Sequence, residues 1–197
     1  ANGCECEPYL TNDHRVMLER MDDLFTGIRI ALRATGAERA IIGIEQNKPD
    51  VIALLRDNLP PRLPIFVAPV KTKYPQGAEK MLIKALLNRE VPSGGLPIDV
   101  SVACFNVATL TQVAELIPAR RGLIERVVTV TGPGVARPGN YVTPIGTPIR
   151  HVLEHVGMTA DAREIILGGP MMGMSIASLD VPTTKGVSGI LVLTEKD

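Results

Sequence analysis

Cysteine is scarce in this chain, and neither sign of charge is in excess. The 197 residues include three cysteines, and 21 basic side chains balance 21 acidic ones. Cys4, Cys6 and Cys104 show no regular framework, which argues against a disulfide scaffold and favours a reducing compartment. They are also too few for a cubane iron–sulfur cluster, which takes four thiolates. We therefore interpret them as small buried apolar side chains and predict no metal site.

Basic clusters and long apolar runs are also missing. Basic residues form only short pairs such as Arg120 and Arg121, which argues against nucleic-acid binding. No run is long enough to cross a bilayer and no signal peptide precedes the first predicted strand, so we expect membrane association only through partners. His14, His151 and His155 have no zinc-like spacing. The composition, 45% hydrophobic and 21% charged, is typical of a globular protein.

The first stretch of the chain is dense in functional groups. Residues 2–7 contain an amide, two carboxylates and two thiols. In an extended chain Glu5 and Glu7 point to the same surface. Like charges there raise each other's pKa unless ligand hydroxyls or a ring N–H donate hydrogen bonds to them, or a cation pairs with them. Gly3 beside them would admit a flat ligand. On residue chemistry alone, a binding site and a solvated acidic turn both stay open.

Apolar spacing predicts alternating helices and strands over the first 120 residues. The predicted elements are a helix at 12–35 with a possible break near Asp22 and Asp23, a strand at 39–45, a helix from Pro49, a strand at 64–70 and a helix at 78–87. In the last helix Met81, Leu82, Ala85 and Leu86 are predicted to face inward. This order is typical of a layered α/β domain, whose ligands bind at the carboxyl ends of the strands.

The second half of the chain has a different pattern. After a Gly/Pro linker at 89–97, Asn106 is predicted to cap a helix at 107–118. The following residues predict a small β-rich unit. Its predicted elements are strands at 124–130, 141–144 and 164–167 and a helix at 149–156.

Two stretches resemble a known family. Residues 2–15, NGCECEPYLTNDHR, resemble a block of RnfC, the NADH-oxidising component of the Rnf electron-transport complex, which is related to the flavoprotein subunit of respiratory complex I. Residues 128–176 resemble the soluble-ligand-binding β-grasp (SLBB) module of that family. The resemblance implies a Rossmann-like layered α/β domain at 1–122, truncated at its N-terminus, and a β-grasp domain at 123–175. Residues 176–197 would be a strand and linker toward an iron–sulfur domain outside this chain.

The resemblance also implies a set of site residues. Three blocks match positions that hold flavin or nicotinamide nucleotide in the complex I relative. The implied cofactor-binding residues are Asn2, Glu5, Glu7, Tyr74, Gly77, Glu79 and Asn106. Cys4, Ala78 and Phe105 depart from the complex I pattern. We assign no catalytic acid or base, because hydride transfer to flavin does not require one.

The function implied by the resemblance is electron transfer. The whole protein would pass electrons from NADH through FMN to two 4Fe–4S clusters outside this chain, and on to ferredoxin or quinone-side partners. Its expected partners are the other subunits of a membrane-bound, ion-translocating complex and a nicotinamide nucleotide. Its expected location is peripheral, on the cytoplasmic side of the bacterial inner membrane. We expect the fragment alone to be inactive.

Two alternatives stay open. A cobalamin-reductase-like flavoprotein of bacterial microcompartments is built on the same modules and has a different electron acceptor. A non-catalytic module that binds a ligand or a partner is a different class, which fold kinship alone does not exclude.

The family's glycine-rich flavin loop and its lysine have no match in this sequence. Backbone N–H groups of such loops supply much of the binding of a phosphate. We therefore expect the 197-residue chain to purify without FMN, as checked by its visible absorbance. A yellow preparation with stoichiometric FMN would contradict this expectation.

Overall fold

The computed structural model describes residues 1–195, which divide into two compact units. The first unit comprises Ala1–Cys6 and Asp13–Arg121. The second comprises Glu7–Asn12 and the chain from Gly122 on. Residues 7–12 therefore lie in a different unit from the rest of the opening stretch.

The first unit is a layered α/β fold around a three-stranded parallel sheet in the order β1, β2, β3. Its elements are β1 (Asn2–Gly3), α1 (Asn12–Glu19), α2 (Met21–Thr35), β2 (Ala40–Glu45), α3 (Pro49–Asp57), β3 (Ile65–Val70), α4 (Glu79–Leu87) and α5 (Val107–Ala119), with a 3₁₀ turn at Pro97–Val100. Apolar residues of β2, which is the most buried strand, pack with apolar stripes on α2 and α5 to form one core. The predicted α/β class is confirmed.

Two predictions for this unit are wrong in detail. The helix at 12–35 does break, but at Arg20 rather than near Asp22 and Asp23, because the backbone of Arg20 leaves the helical region (φ −129°, ψ 37°). The Arg20 guanidinium there binds Asp23 and Glu115. In α4, Leu82 and Leu86 face inward as predicted and pack on Cys4 and Val70, whereas Met81 is 44% exposed and Ala85 is exposed.

The second unit is built on a five-stranded mixed sheet in the order β5, β4, β8, β6, β7. Its elements are β4 (Glu125–Thr131), β5 (Gly139–Pro144), α6 (Ile149–Val156), β6 (Ala162–Leu167), β7 (Met174–Ser175) and β8 (Gly189–Thr194). Helix α6 buries four apolar residues against the sheet, as the β-grasp resemblance implies. Strand β8 pairs in parallel with β4 and antiparallel with β6, so residues 189–194 form the middle of the sheet.

The residues predicted at 176–197 as a strand and linker therefore include a central strand of the second unit. Only residues 196 and 197 of that segment lie outside the described chain. Within residues 1–195, no helix combines the length and apolarity needed to cross a bilayer.

Gly27 lies where α2 meets α5 most closely. A Cβ atom added to Gly27 would lie 1.9 Å from the carbonyl oxygen of Leu110, a backbone atom that no side-chain rotation can move. We expect Gly27→Ala to lower the free energy of unfolding by about 1–3 kcal/mol, measured by urea denaturation. Arg29→Ala, on the exposed face of the same helix, is the control. Equal stability of the two variants would contradict the close packing.

Candidate functional site

Asn2 joins three separate segments of the first unit. Its backbone N–H donates to the carbonyl of Phe105 at 2.7 Å, and its side-chain Nδ2 donates to the carbonyl of Gly77 at 2.8 Å. Its Oδ1 accepts from the N–H of Cys4 at 3.1 Å. A backbone bridge also pairs Asn2 with Asn106. The structure therefore brings three predicted site residues together: Asn2, Gly77 and Asn106.

Gly77 fits this junction only because it has no side chain. An added Cβ atom would lie 2.8 Å from the Cys4 carbonyl oxygen and 3.2 Å from the Cys6 Sγ. The glycine that the family resemblance singled out thus has a packing reason within the chain itself. Gly3 has one too, because its added Cβ would lie 2.8 Å from the Met17 sulfur. The predicted opening for a flat ligand at Gly3 is therefore filled by Met17.

Glu5 binds the first turn of α1. Its Oε1 accepts from the N–H of Asp13 at 2.9 Å, and its Oε2 accepts from the N–H of His14 at 3.3 Å. Helix N-termini carry unpaired N–H groups and a partial positive charge, so a carboxylate is stabilised there. The strand itself ends at Gly3, and the extended alternation expected for residues 2–7 stops there.

Asp13 connects Glu5 to Asn106. The Asn106 Nδ2 donates to Asp13 Oδ2 at 2.6 Å, while the Asn106 Oδ1 accepts from the N–H groups of Ala108 and Thr109 at 2.9 and 3.3 Å. Asn106 therefore caps α5, as predicted, and binds a buried carboxylate as well. Sequence reasoning missed Asp13, because the contact links positions 93 residues apart.

The pKa of Glu5 is raised to about 7. Burial is the largest cause, and the negative charge of Asp13 adds to it, whereas the N–H groups of Asp13 and His14 and the charge of Lys48 act in the opposite direction. The titration of Glu5 is therefore displaced upward, toward neutral pH. An additional N–H or O–H donor supplied by a ligand would favour the carboxylate.

Tyr74 and Glu79 lie on the segment that contains Gly77. Tyr74 follows β3 and is 41% exposed, and Glu79 opens α4 with an exposed side chain. Both side chains point into solvent rather than into the hydrogen-bonded cluster of Asn2, Glu5 and Asn106. The pKa of Cys104 is raised chiefly by burial, and the negative charge of Glu79 raises it further.

Glu7 lies in the second unit. Its Oε2 accepts from the N–H of Met171 at 3.0 Å, and its Oε1 is buried without a protein partner in the described chain. A Cβ atom on Gly169 would lie 2.2 Å from Glu7 Oε2, so the carboxylate packs directly on that turn. The predicted surface shared by Glu5 and Glu7 is thus replaced by separate contacts, one in each unit.

Cys4 carries a buried thiol that stays protonated at neutral pH. Burial raises the pKa of Cys4 to about 12, and its thiol donates to the carbonyl of Gly43 at 3.6 Å. Among residues 1–195, histidine, cysteine and carboxylate side chains form no group of three that would hold a metal ion.

The first unit contains a cavity of about 770 Å³. Its lining includes Ala40 and Ile41 at the amino end of β2 together with Leu32, Ile83 and Phe105. None of the seven predicted site residues lines it. The polar cluster around Glu5 therefore lies outside this cavity, at the carboxyl end of the strands.

Family models match most of the chain. Residues 1–115 match the Nuo51 FMN-binding domain, and residues 127–175 match the SLBB domain.

Named relatives support the predicted kinship with RnfC. Over its whole length the chain is 44% identical to the C component of the proton-translocating ferredoxin:NAD(+) oxidoreductase complex of Clostridium ljungdahlii, and it covers 43% of that protein. It is 41% identical over 99% of its length to the C component of the Na(+)-translocating complex of Acetobacterium woodii, covering 44% of it. The C component of the ion-translocating oxidoreductase complex of Rhodobacter capsulatus is 43% identical over 98% of the chain, which covers 38% of that relative. The chain thus spans less than half of each of these proteins.

Solved structures share the fold. A chain of an NAD+-reducing NiFe hydrogenase in its H2-reduced state matches 98% of this chain with a TM-score of 0.84 and 21% sequence identity. The match covers 40% of the hydrogenase chain. The air-oxidised form of an enzyme of the same name gives a TM-score of 0.83 at 22% identity.

The chemistry of the Glu5 cluster fits a flavin or nicotinamide nucleotide. Carboxylate and amide oxygens accept hydrogen bonds from ribose hydroxyls, a ring N–H or a carboxamide. Glu5 is partly buried and its pKa is raised, so a hydrogen-bond donor from such a ligand would favour the ionised carboxylate. The residues therefore suit the group that the matched family is named for.

The raised pKa of Glu5 predicts a pH-dependent stability. A carboxyl whose folded pKa lies above its unfolded value favours folding below the unfolded pKa, and that contribution is lost as the pH rises through the folded pKa. Between about pH 4 and pH 8 the wild-type chain should lose up to about 3 kcal/mol of unfolding free energy that Glu5→Gln retains. Urea denaturation across this range measures the difference, with exposed Glu38→Gln as the control. Parallel pH profiles for wild type and Glu5→Gln would contradict the burial of a titrating carboxyl.

Proposed function

This chain belongs to the family of the Nuo51 FMN-binding domain, and from that premise we propose that it forms the nucleotide-binding part of an NADH-oxidising electron-transfer subunit. The observation that carries the proposal is the junction of Asn2, Glu5, Gly77 and Asn106 at the carboxyl end of a parallel sheet. Ligands of α/β folds bind at this edge. All four residues fall within the matched range 1–115.

Bound FMN would supply the chemistry by accepting a hydride from NADH and releasing electrons one at a time. The residues of this chain would bind and orient the nucleotides. Glu5 and Glu79 accept hydrogen bonds from hydroxyl and amide groups of the nucleotides, and the exposed hydroxyl of Tyr74 offers a further donor. Lys71 and Lys73 are exposed on the loop that precedes Gly77 and suit a phosphate. None of these residues needs to transfer a proton.

In the whole protein, electrons would leave the flavin for iron–sulfur clusters held outside this chain. Two of the relatives are named as parts of ferredoxin:NAD(+) oxidoreductase complexes, which supports ferredoxin as the other redox partner. Their names also support assembly with the remaining subunits of an ion-translocating complex. We place the protein peripherally, on the cytoplasmic side of the bacterial inner membrane, where NADH is available.

The function is tested by NADH-dependent reduction of ferricyanide in the full-length natural protein with its flavin bound. Glu5→Gln combined with Glu79→Gln should lower kcat/KM for NADH by about 10- to 100-fold, because each loses a charge-assisted hydrogen bond. Glu38→Gln should leave it unchanged. A wild-type protein that does not oxidise NADH, or a double variant with full activity, would leave a binding module as the better description.

A further inference from the structure

The side-chain amide of Asn106 is held at both of its ends. Its Oδ1 accepts from the N–H groups of Ala108 and Thr109 at 2.9 and 3.3 Å, and its Nδ2 donates to Asp13 Oδ2 at 2.6 Å. A carboxamide has two lone pairs on its oxygen and two N–H donors on its nitrogen. Within the described residues these contacts use both lone pairs and one N–H, which leaves the second N–H to meet a ligand.

Asp13 holds this amide from inside the fold. Asp13 is 8% exposed whereas Asn106 is exposed, so a buried carboxylate fixes a side chain that faces solvent. Burying a charged acid costs free energy, and a charge-assisted hydrogen bond offsets part of that cost. With both ends of the amide bonded, rotation about the Cβ–Cγ bond of Asn106 is restricted, and its remaining N–H keeps one direction.

The position of Asp13 in α1 does not explain this contact. Asp13 lies in the first turn of α1, where the helix dipole favours an acid. An exposed acid in that turn would serve the helix equally well, as Asp22 does in the first turn of α2. The burial of Asp13 and its hydrogen bond to a residue at the start of α5 therefore need a second reason.

The backbone of Asp13 belongs to the same network. Its N–H donates to Glu5 Oε1 at 2.9 Å. One residue thus contacts two predicted site residues, Glu5 through its main chain and Asn106 through its side chain. The two contacts leave opposite hydrogen-bonding groups for a ligand, because Glu5 as a carboxylate only accepts and the anchored amide of Asn106 only donates.

We propose that Asp13 is a positioning residue that fixes Asn106 as a hydrogen-bond donor, so that the ligand group met there is an acceptor oxygen of a carbonyl, a phosphate or a sugar. This inference rests on the proposed function for the identity of the ligand. It adds a residue that the family resemblance did not select. Asp13 acts through Asn106 and needs no contact with the ligand. FMN and NADH both carry such oxygens, and the experiments below distinguish them.

The anchoring is tested by ¹H–¹⁵N NMR of the full-length natural protein, free of flavin and ¹⁵N-labelled at asparagine. The Asn106 side-chain signals are assigned by their loss in Asn106→Ser. One Nδ2 proton should lie downfield, because it is bonded to a carboxylate, and it should return to the position of an exposed asparagine in Asp13→Ala. Asp22→Ala, which removes the exposed first-turn acid of α2, should change neither proton. Equal positions in wild type and Asp13→Ala would overturn the proposal.

The donor role is tested on the same sample by adding FMN or NADH. The second Nδ2 proton of Asn106 should shift when the nucleotide that it meets is bound, while the proton bonded to Asp13 keeps its position. No shift of the second proton with either nucleotide bound would overturn the proposal.

The effect on binding is tested by a double-mutant cycle, with the Kd for FMN from flavin fluorescence and the KM for NADH with ferricyanide as readouts. Asn106→Ser keeps an N-cap oxygen for α5 and removes both N–H donors. Asp13→Ala should weaken one of the two constants about 5-fold, with no further effect in Asn106→Ser. The charge of Asp13 also acts on Glu5, but this effect is common to both backgrounds and cancels in the cycle. The constant that changes identifies the nucleotide.

Equal losses in both backgrounds, or no loss in either, would show that Asp13 only supports α1 and would overturn the proposal. If Asp13→Ala does not fold, Asp13→Asn enters the same cycle, since it removes the charge and keeps the size of the side chain. If wild type binds neither nucleotide, the proposed function fails, while the NMR comparison with Asp13→Ala still decides whether Asp13 anchors Asn106.

Discussion

The pairing of a two-residue strand with its neighbours determines where the polar groups of the first unit meet. Strand β1 consists of Asn2 and Gly3 alone, and its register is fixed by the N–H of Gly43 donating to Ala1 and the N–H of Asn2 donating to Phe105. With only two residues, the strand has little pairing of its own. The Asn2 side chain adds the hydrogen bond to Gly77 that ties the loop before α4 to the same place. Three helices, α1, α4 and α5, thus begin near one strand end.

Opposing electrostatic effects act on the Glu5 carboxylate at this junction. Glu5 is favoured as an anion by the N-terminus of α1 and by Lys48, and disfavoured by burial and by Asp13. A carboxyl poised in this way changes its protonation in response to a ligand donor. A solvated acidic turn, the alternative that residue chemistry left open, would have no such burial. The hydrogen bonds and burial of Glu5 therefore argue against a solvated acidic turn at this residue.

Local patterns predicted the elements well, because each depends on neighbours in sequence. The Asn106 cap, the helix at 149–156 and the apolar strands follow from side-chain type and spacing, and the structure has them at or within a few residues of the predicted positions. Contacts between distant segments were not predictable in the same way. Nothing in the sequence near Glu5 says that it caps α1, or that Asp13 binds Asn106. The position of Glu7 on the turn at Met171 likewise depends on a contact across 164 residues.

The family resemblance identified distant site residues that local sequence patterns could not. It selected Asn2, Gly77 and Asn106 from far apart in the chain, and the structure joins them by hydrogen bonds and backbone pairing. It did not select Asp13, whose hydrogen bond with Asn106 is visible only in the structure.

The proposed function depends on the binding of a nicotinamide nucleotide at the junction of Asn2, Glu5, Gly77 and Asn106. Hydrogen–deuterium exchange of the full-length natural protein, with and without NADH, tests it most directly. NADH binding should slow exchange in three separate peptides, covering residues 2–6, 74–80 and 105–109. Unchanged exchange in all three, with NADH bound and protection found elsewhere, would contradict it.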